Sequence, residues 1–242
     1  GYAFYSANRL SFGVGLKAIA AQLALTPIQV GTLGTIFTLG QALIDIPAGY
    51  LADKFGRKRL LVSSMVFLGI MTAIVTKASD VIQVGLARTI FGMAEGMWNI
   101  VMYSVAGSIF PAARAMLNGL MMTFYAIGAY VGPTYYGYNL SQTGEWTQGL
   151  FNIGLVTIAF GILLFFGFRK KYTDVSTDVK GMHLVEAVKA VGTNKIVWLA
   201  VAIQILNIVP YWGFASMGPY LFMTFKGFSA AEAGQFFGMV YG

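Results

Sequence analysis

Stretches that contain no Asp, Glu, Lys or Arg constrain this chain more than any other feature. They cover residues 18–44, 60–76, 96–113, 115–144, 146–168 and 196–225, with lengths of 27, 17, 18, 30, 23 and 30 residues. A helix rises about 1.5 Å per residue, so crossing a hydrocarbon core of about 30 Å takes about 20 mostly apolar residues. Most of these runs qualify. Allowing a few internal charges, the pattern predicts helical spans at about 1–24, 27–53, 60–78, 81–110, 116–139, 147–168 and 196–224, with an eighth opening near Ser229.

Composition excludes the soluble alternatives. The chain of 242 residues is 57% hydrophobic and 10% charged, against about 25% charged in a soluble domain, so it lacks the polar surface of a cytosolic enzyme. It has no Cys and a single His, His183, which removes disulfide frameworks and Cys or His metal clusters. Thirty Gly against six Pro, with no Gly-X-Y period, points to glycine used for close packing. Gly13-Val14-Gly15 has no preceding strand and is not a dinucleotide fingerprint. No Ser-His-Asp, metal-ligand or phosphate-loop set appears, so no catalytic residue, metal or cofactor is expected. The first residues also lack the basic region and cleavage site of a signal peptide.

Basic residues orient the spans, because short cytoplasmic loops retain them. The loops after spans two, four and six hold Lys54, Arg57, Lys58, Arg59, Arg114, Arg169, Lys170, Lys171, Lys180, Lys189 and Lys195, which are 11; the alternate loops hold Lys77 and Lys226. That places the N-terminus and the polar segment 169–195 in the cytoplasm. The net charge of +7 then reports topology and contact with anionic lipid, not nucleic-acid binding. Residues 169–195 form a linker, in which 183–191 can make a surface helix or remain plainly solvated.

Thr26-Pro27-Ile28-Gln29-Val30-Gly31 opens span two, and Ser229-Ala230-Ala231-Glu232-Ala233-Gly234 opens span eight in the same pattern, offset by 203. Thr26 and Ser229 read as N-caps, with Pro27 at the first helical position. The offset implies two halves. On this reading 1–168 is a six-helix unit, 169–195 the linker, and 196–242 the start of a second unit, so the chain is expected to be incomplete. Two parallel six-helix units with a binding site between them near the midplane are a recurring transporter plan.

Gly49-Tyr50-Leu51-Ala52-Asp53-Lys54-Phe55-Gly56-Arg57-Lys58-Arg59, between spans two and three, resembles the signature loop of the major facilitator superfamily. The resemblance implies an all-α, polytopic membrane fold. It also implies that Gly49 allows close helix contact, and that Asp53 and Arg57, with Gly56 between them, form a charge clamp on the cytoplasmic gate. Arg88, followed by Gly92 and Gly96, resembles the superfamily's fourth-helix motif. Glu95 lies seven residues beyond Arg88, two turns along on the same face, where each can neutralise the other through water or a neighbouring helix. Arg9 adds an unpaired positive charge nearby.

Span one, Tyr5-Ser6-Ala7-Asn8-Arg9-Leu10-Ser11-Phe12, resembles the anion:cation symporter branch of the superfamily, which includes sugar-acid carriers. The resemblance gives Arg9 the substrate's carboxylate. A desolvated guanidinium also offers a planar fork for such a group, although snorkelling to the interface is the competing role. Asn8 departs from the branch, where an acid is common, and an amide cannot carry a proton. Glu95, together with Arg88, is then expected to couple transport to protons, with Asp45 as a second candidate carrier or a helix-packing residue. Lys17 either attracts anions or snorkels.

Span five carries Gly119, Gly128, Gly132-Pro133 and Gly137, close to the superfamily's antiporter motif, with Tyr136 where a second glycine is usual. Gly128 and Gly132 equally satisfy the small-residue packing rule, and Pro133 is expected to break the ladder. Tyr125 is a candidate cavity hydroxyl. Adding 203 to Asn8 and Arg9 lands on Tyr211 and Trp212 in span seven, where Asn207 and Tyr211 share a face. They make a candidate wall opposite Arg9, unless Trp212 is only packing.

The expected function is secondary active transport of a small organic anion, coupled to protons, by alternating access. The chain is expected to be a monomer in a bacterial inner membrane, with lipid, protons and the anion as its partners. A drug/proton antiporter, an anion exchanger without proton flux, and a non-transporting membrane scaffold are the rivals.

Overall fold

A computed structural model describes residues 1–109, 111–168 and 192–242. Its helices are α1 (Tyr2–Gln22), α2 (Pro27–Thr35), α3 (Phe37–Phe55), α4 (Arg57–Ile74), α5 (Val81–Ile109), α6 (Arg114–Thr143), α7 (Trp146–Gly167), α8 (Lys195–Phe225) and α9 (Ala230–Tyr241). The predicted spans are all present. Up to residue 191 the linker lies outside the described residues, as does the surface helix considered at 183–191.

Among the described residues, five stretches are long and apolar enough to cross a membrane: Pro27–Phe55, Arg57–Lys77, Arg114–Thr143, Trp146–Gly167 and Lys195–Phe225. α1 and α5 are not among them. These two carry Arg9 and Lys17, and Arg88 and Glu95, whose charges lower their mean hydropathy. Exposed side chains such as Ile28, Leu163, Phe166 and Leu206 are apolar, as a lipid-facing surface requires.

Both expected N-caps close as capping boxes. The Thr26 hydroxyl accepts from the Gln29 backbone N–H, and the Gln29 side chain accepts from that of Thr26; Ser229 and Glu232 repeat the arrangement. The offset of 203 therefore relates equivalent local geometry as well as similar letters.

The second span is not one helix. It divides at Ile36, which separates α2 from α3. Thr32, Thr35 and Thr38 each donate a hydroxyl hydrogen bond to a carbonyl one turn back, at 2.9, 2.9 and 2.6 Å. Such bonds compete with the helical ladder and bend it. Pro133 removes one bond of the ladder, as expected, yet α6 runs through it, as α8 runs through Pro210 and Pro219. Neighbouring packing lets a proline persist within a membrane helix.

Small residues set the crossings. A Cβ at Gly92 would collide with the Phe37 carbonyl, one at Gly40 with that of Thr89, and one at Gly96 with Asp45 and Ile44. These positions bring α3 onto α5. Gly128 and Gly132 do the same for α6 against Ala3, Ser6 and Ala7 of α1, while Gly137 and Gly234 join α6 to α9. The expected close contact at Gly49 is not found, because a Cβ there would meet nothing within 4 Å. Tyr136 is fully buried, fills the space left by Gly15 and donates to the Trp146 carbonyl at 2.9 Å.

Candidate functional site

Among the described residues, three charged side chains are buried in the membrane-spanning body: Arg9 on α1 at 7% exposure, and Arg88 and Glu95 on α5 at 4% and 0%. The tight crossing of α3 on α5 and the long side chain of Arg9, reaching over from α1, bring them together. Arg9 Nη1 lies 3.5 Å from Glu95 Oε2. The ion pair is thus between helices. Arg9, expected to be unpaired, holds the carboxylate that the sequence spacing suggested for Arg88, because its side chain reaches from α1 to Glu95 on α5.

The Arg9 guanidinium is held in place by its neighbours. Nη1 donates to the Tyr5 hydroxyl at 2.8 Å and reaches Gln41 Oε1 at 3.5 Å. Its carbon stands 3.7 Å from the centre of the Trp212 ring and 4.7 Å from that of Phe37. An enclosed cation over an aromatic face gains about 2 kcal/mol or more. The residues related by the offset of 203, Arg9 and Trp212, are in direct contact. Arg9 Nε and both Glu95 oxygens nevertheless have no hydrogen-bond partner.

Arg88 is enclosed by the rings of Phe12, Phe91 and Phe37 at 4.1, 4.6 and 5.0 Å. Phe37 is therefore shared by both guanidiniums. Asp45 is partly buried, with Oδ1 lacking a hydrogen-bond partner, and lies close enough to Arg9 to feel its charge. Tyr125 places a buried, unpartnered hydroxyl beside Tyr5, the ring centres 6.2 Å apart.

Other expected residues lie further out. Asn8 faces α7, donating to the Thr157 hydroxyl at 2.7 Å and to the Phe4 carbonyl at 2.6 Å. Tyr211 packs edge-on against Trp212 and Tyr241, at 5.0 and 5.1 Å, and Asn207 is exposed on α8. Lys17 donates to the Met223 carbonyl at 2.7 Å, tying α1 to the last turn of α8. At the loop, Arg57 Nη2 and Asp53 Oδ1 are 3.5 Å apart, with the Asp53 side chain 72% exposed. Between them Gly56 adopts φ 88°, a conformation that favours glycine, and joins α3 directly to α4.

Phe37, Gln41, Tyr5, Phe12 and Phe91 were not among the expected site residues. Gln41 carried a signal, as an amide inside the charge-free run 18–44, and Tyr5 lies one turn before Arg9. The phenylalanines carried none.

The sequence matches the Major Facilitator Superfamily over residues 1–242. The chain belongs to this superfamily. It is similar to a probable sulfoacetate transporter of Cupriavidus necator, 25% identical over 184 residues, covering 74% of this chain and 41% of that protein. A cis,cis-muconate transport protein of Acinetobacter baylyi is 24% identical over 161 residues, covering 66% and 38%. The 3-(3-hydroxy-phenyl)propionate transporter of Escherichia coli is 30% identical over 153 residues, covering 60% and 37%. This facilitator chain thus spans well under half the length of these relatives. Its fold matches a solved bacterial homologue of the human lysosomal transporter Spinster, inward-facing and occupied, with a TM-score of 0.77 at 21% identity over 99% of this chain and 56% of that one. With its several apolar helices, this superfamily member is a multi-pass integral membrane protein.

Proposed function

We propose that this chain is part of a proton-coupled secondary transporter of small organic anions, with Arg9 as the anion-binding residue and Glu95 as the proton carrier. The observation that carries the reading is the Arg9–Glu95 pair at 3.5 Å, enclosed by Trp212 and Phe37 where α1, α5 and α8 meet. A substrate carboxylate and the Glu95 carboxylate compete for one guanidinium. Protonation of Glu95 frees Arg9 for the anion, and departure of the anion lets Glu95 release its proton and reclaim Arg9. One contact thereby couples the two fluxes.

Other features fit alternating access. α8 meets α1 from Trp212 to Met223, whereas residues 201–211 are all exposed. On the orientation given by the basic residues, the exposed part is cytoplasmic and the contact is outer, an arrangement open to the inside. Asp53 and Arg57 then belong to the cytoplasmic gate. Residues 1–168 make one six-helix half, and 196–242 begin the other. The similarity to a probable sulfoacetate transporter, a cis,cis-muconate transport protein and a 3-(3-hydroxy-phenyl)propionate transporter supports a carboxylate or related anion as cargo.

Purified full-length carrier in proteoliposomes, given an inward proton gradient, tests this with a panel of radiolabelled carboxylates. Concentrative uptake of at least one is expected, with Arg9→Ala losing it. Uptake of cationic amphiphiles instead, or full carboxylate uptake by Arg9→Ala, overturns the reading.

A further inference from the structure

Arg88 is a buried guanidinium that feels the charge of Glu95 but has no carboxylate of its own in contact. Its Nε has no hydrogen-bond partner, and among the described residues no carboxylate lies within ion-pair distance of it. Three rings line it, yet aromatic faces satisfy no N–H fork. An unpaired charge so placed is costly in a membrane and tends to mark a ligand path. Arg9 has already taken the carboxylate of Glu95, the acid on Arg88's own helix face.

The two guanidinium carbons lie 4.7 and 5.0 Å from one ring centre, that of Phe37. They can be no further apart than those two distances together, which is within the reach of a short molecule with an anionic group at each end. Two cations thus share the field of one buried carboxylate, which is at ion-pair distance from Arg9 alone, and that carboxylate is the one the transport cycle neutralises on protonation. A monoanion leaves Arg88 unmatched, whereas a dianion occupies both forks.

Resting on the anion-transport reading above, we propose that Arg88 is the second anion-binding residue of the same site, and that the preferred substrates are dianions whose groups bridge Arg9 and Arg88 past Phe37. Each end takes charge-assisted hydrogen bonds from a planar fork.

The test compares diacids from malonate to adipate with their monomethyl esters as competitors of uptake in the full-length carrier, and as ligands in thermal-shift titrations. In wild type the best diacid is expected to bind at least tenfold more tightly than its own monoester, and Arg88→Gln is expected to bring that ratio near one. A wild-type ratio near one for every pair overturns the proposal without any variant. So does an unchanged ratio in Arg88→Gln, since a purely structural role lowers both affinities by the same factor. If Arg88→Gln does not fold, Arg88→Lys, which keeps the charge but loses the fork, is expected to lower the ratio severalfold, and an unchanged ratio there also overturns it. If neither diacids nor monoesters bind, the anion-transport reading itself fails; if both bind equally, only the dianion inference does.

Discussion

A guanidinium inside a membrane protein needs something to offset its lost hydration, and Arg9 has four such groups around it: Glu95, Tyr5, Trp212 and Phe37. Lysine cannot reproduce this set, since its ammonium is compact and lacks the planar fork. Arg9→Lys is therefore expected to weaken substrate affinity at least tenfold, read as the concentration for half-maximal uptake. Removing the other partner strands a buried cation. Glu95→Ala should destabilise the protein by about 3–5 kcal/mol, measured by unfolding in detergent, and Glu95→Gln by less, because the amide keeps the side chain's volume and leaves a polar oxygen beside Arg9. At this scale the sequence revealed the charges but not their pairing. Spacing along one helix linked Arg88 to Glu95, and only the tertiary fold, which lets Arg9 reach from α1 to α5, hands Glu95 to Arg9. Phe37, Phe12 and Phe91 were hidden among 19 phenylalanines of a chain in which apolar residues face lipid and core alike.

Helices in lipid gain little from hydrophobic burial against one another, so small residues that allow close approach decide how these cross. Gly92 and Gly49 make contrasting tests. A side chain at Gly92 runs into the Phe37 carbonyl, and Gly92→Val is expected to cost about 1–3 kcal/mol of stability and to disturb the ring shared by the two arginines. Gly49→Ala meets open space and is expected to stay within about 0.5 kcal/mol of wild type. Thermal melts of both variants decide the matter. Spans were legible because charge-free runs have a length set by the bilayer, and caps because Thr26-Pro27 and Ser229 carry their own chemistry. The break at Ile36 was not singled out, since it depends on three threonine hydroxyls acting together on one helix.

For the whole molecule, Arg9 and Trp212 join the first helix to the helix after the linker, so binding at Arg9 acts on the contact between the two proposed halves. The orientation rests on the distribution of basic residues. These 242 residues contain no cysteine, so single Cys variants at Lys58 and Lys77, in a background free of other thiols, can be labelled by a membrane-impermeant thiol reagent: Lys58→Cys should react only from the cytoplasmic side and Lys77→Cys only from outside. The reverse pattern would invert every inside and outside assignment made for the gate. The central claim is that proton and anion exchange at the Arg9–Glu95 pair. Its most direct measurement is the stimulation of carboxylate uptake by an inward proton gradient in proteoliposomes of wild type and Glu95→Gln. The account predicts strong stimulation in wild type and none in Glu95→Gln; equal stimulation of both would contradict it.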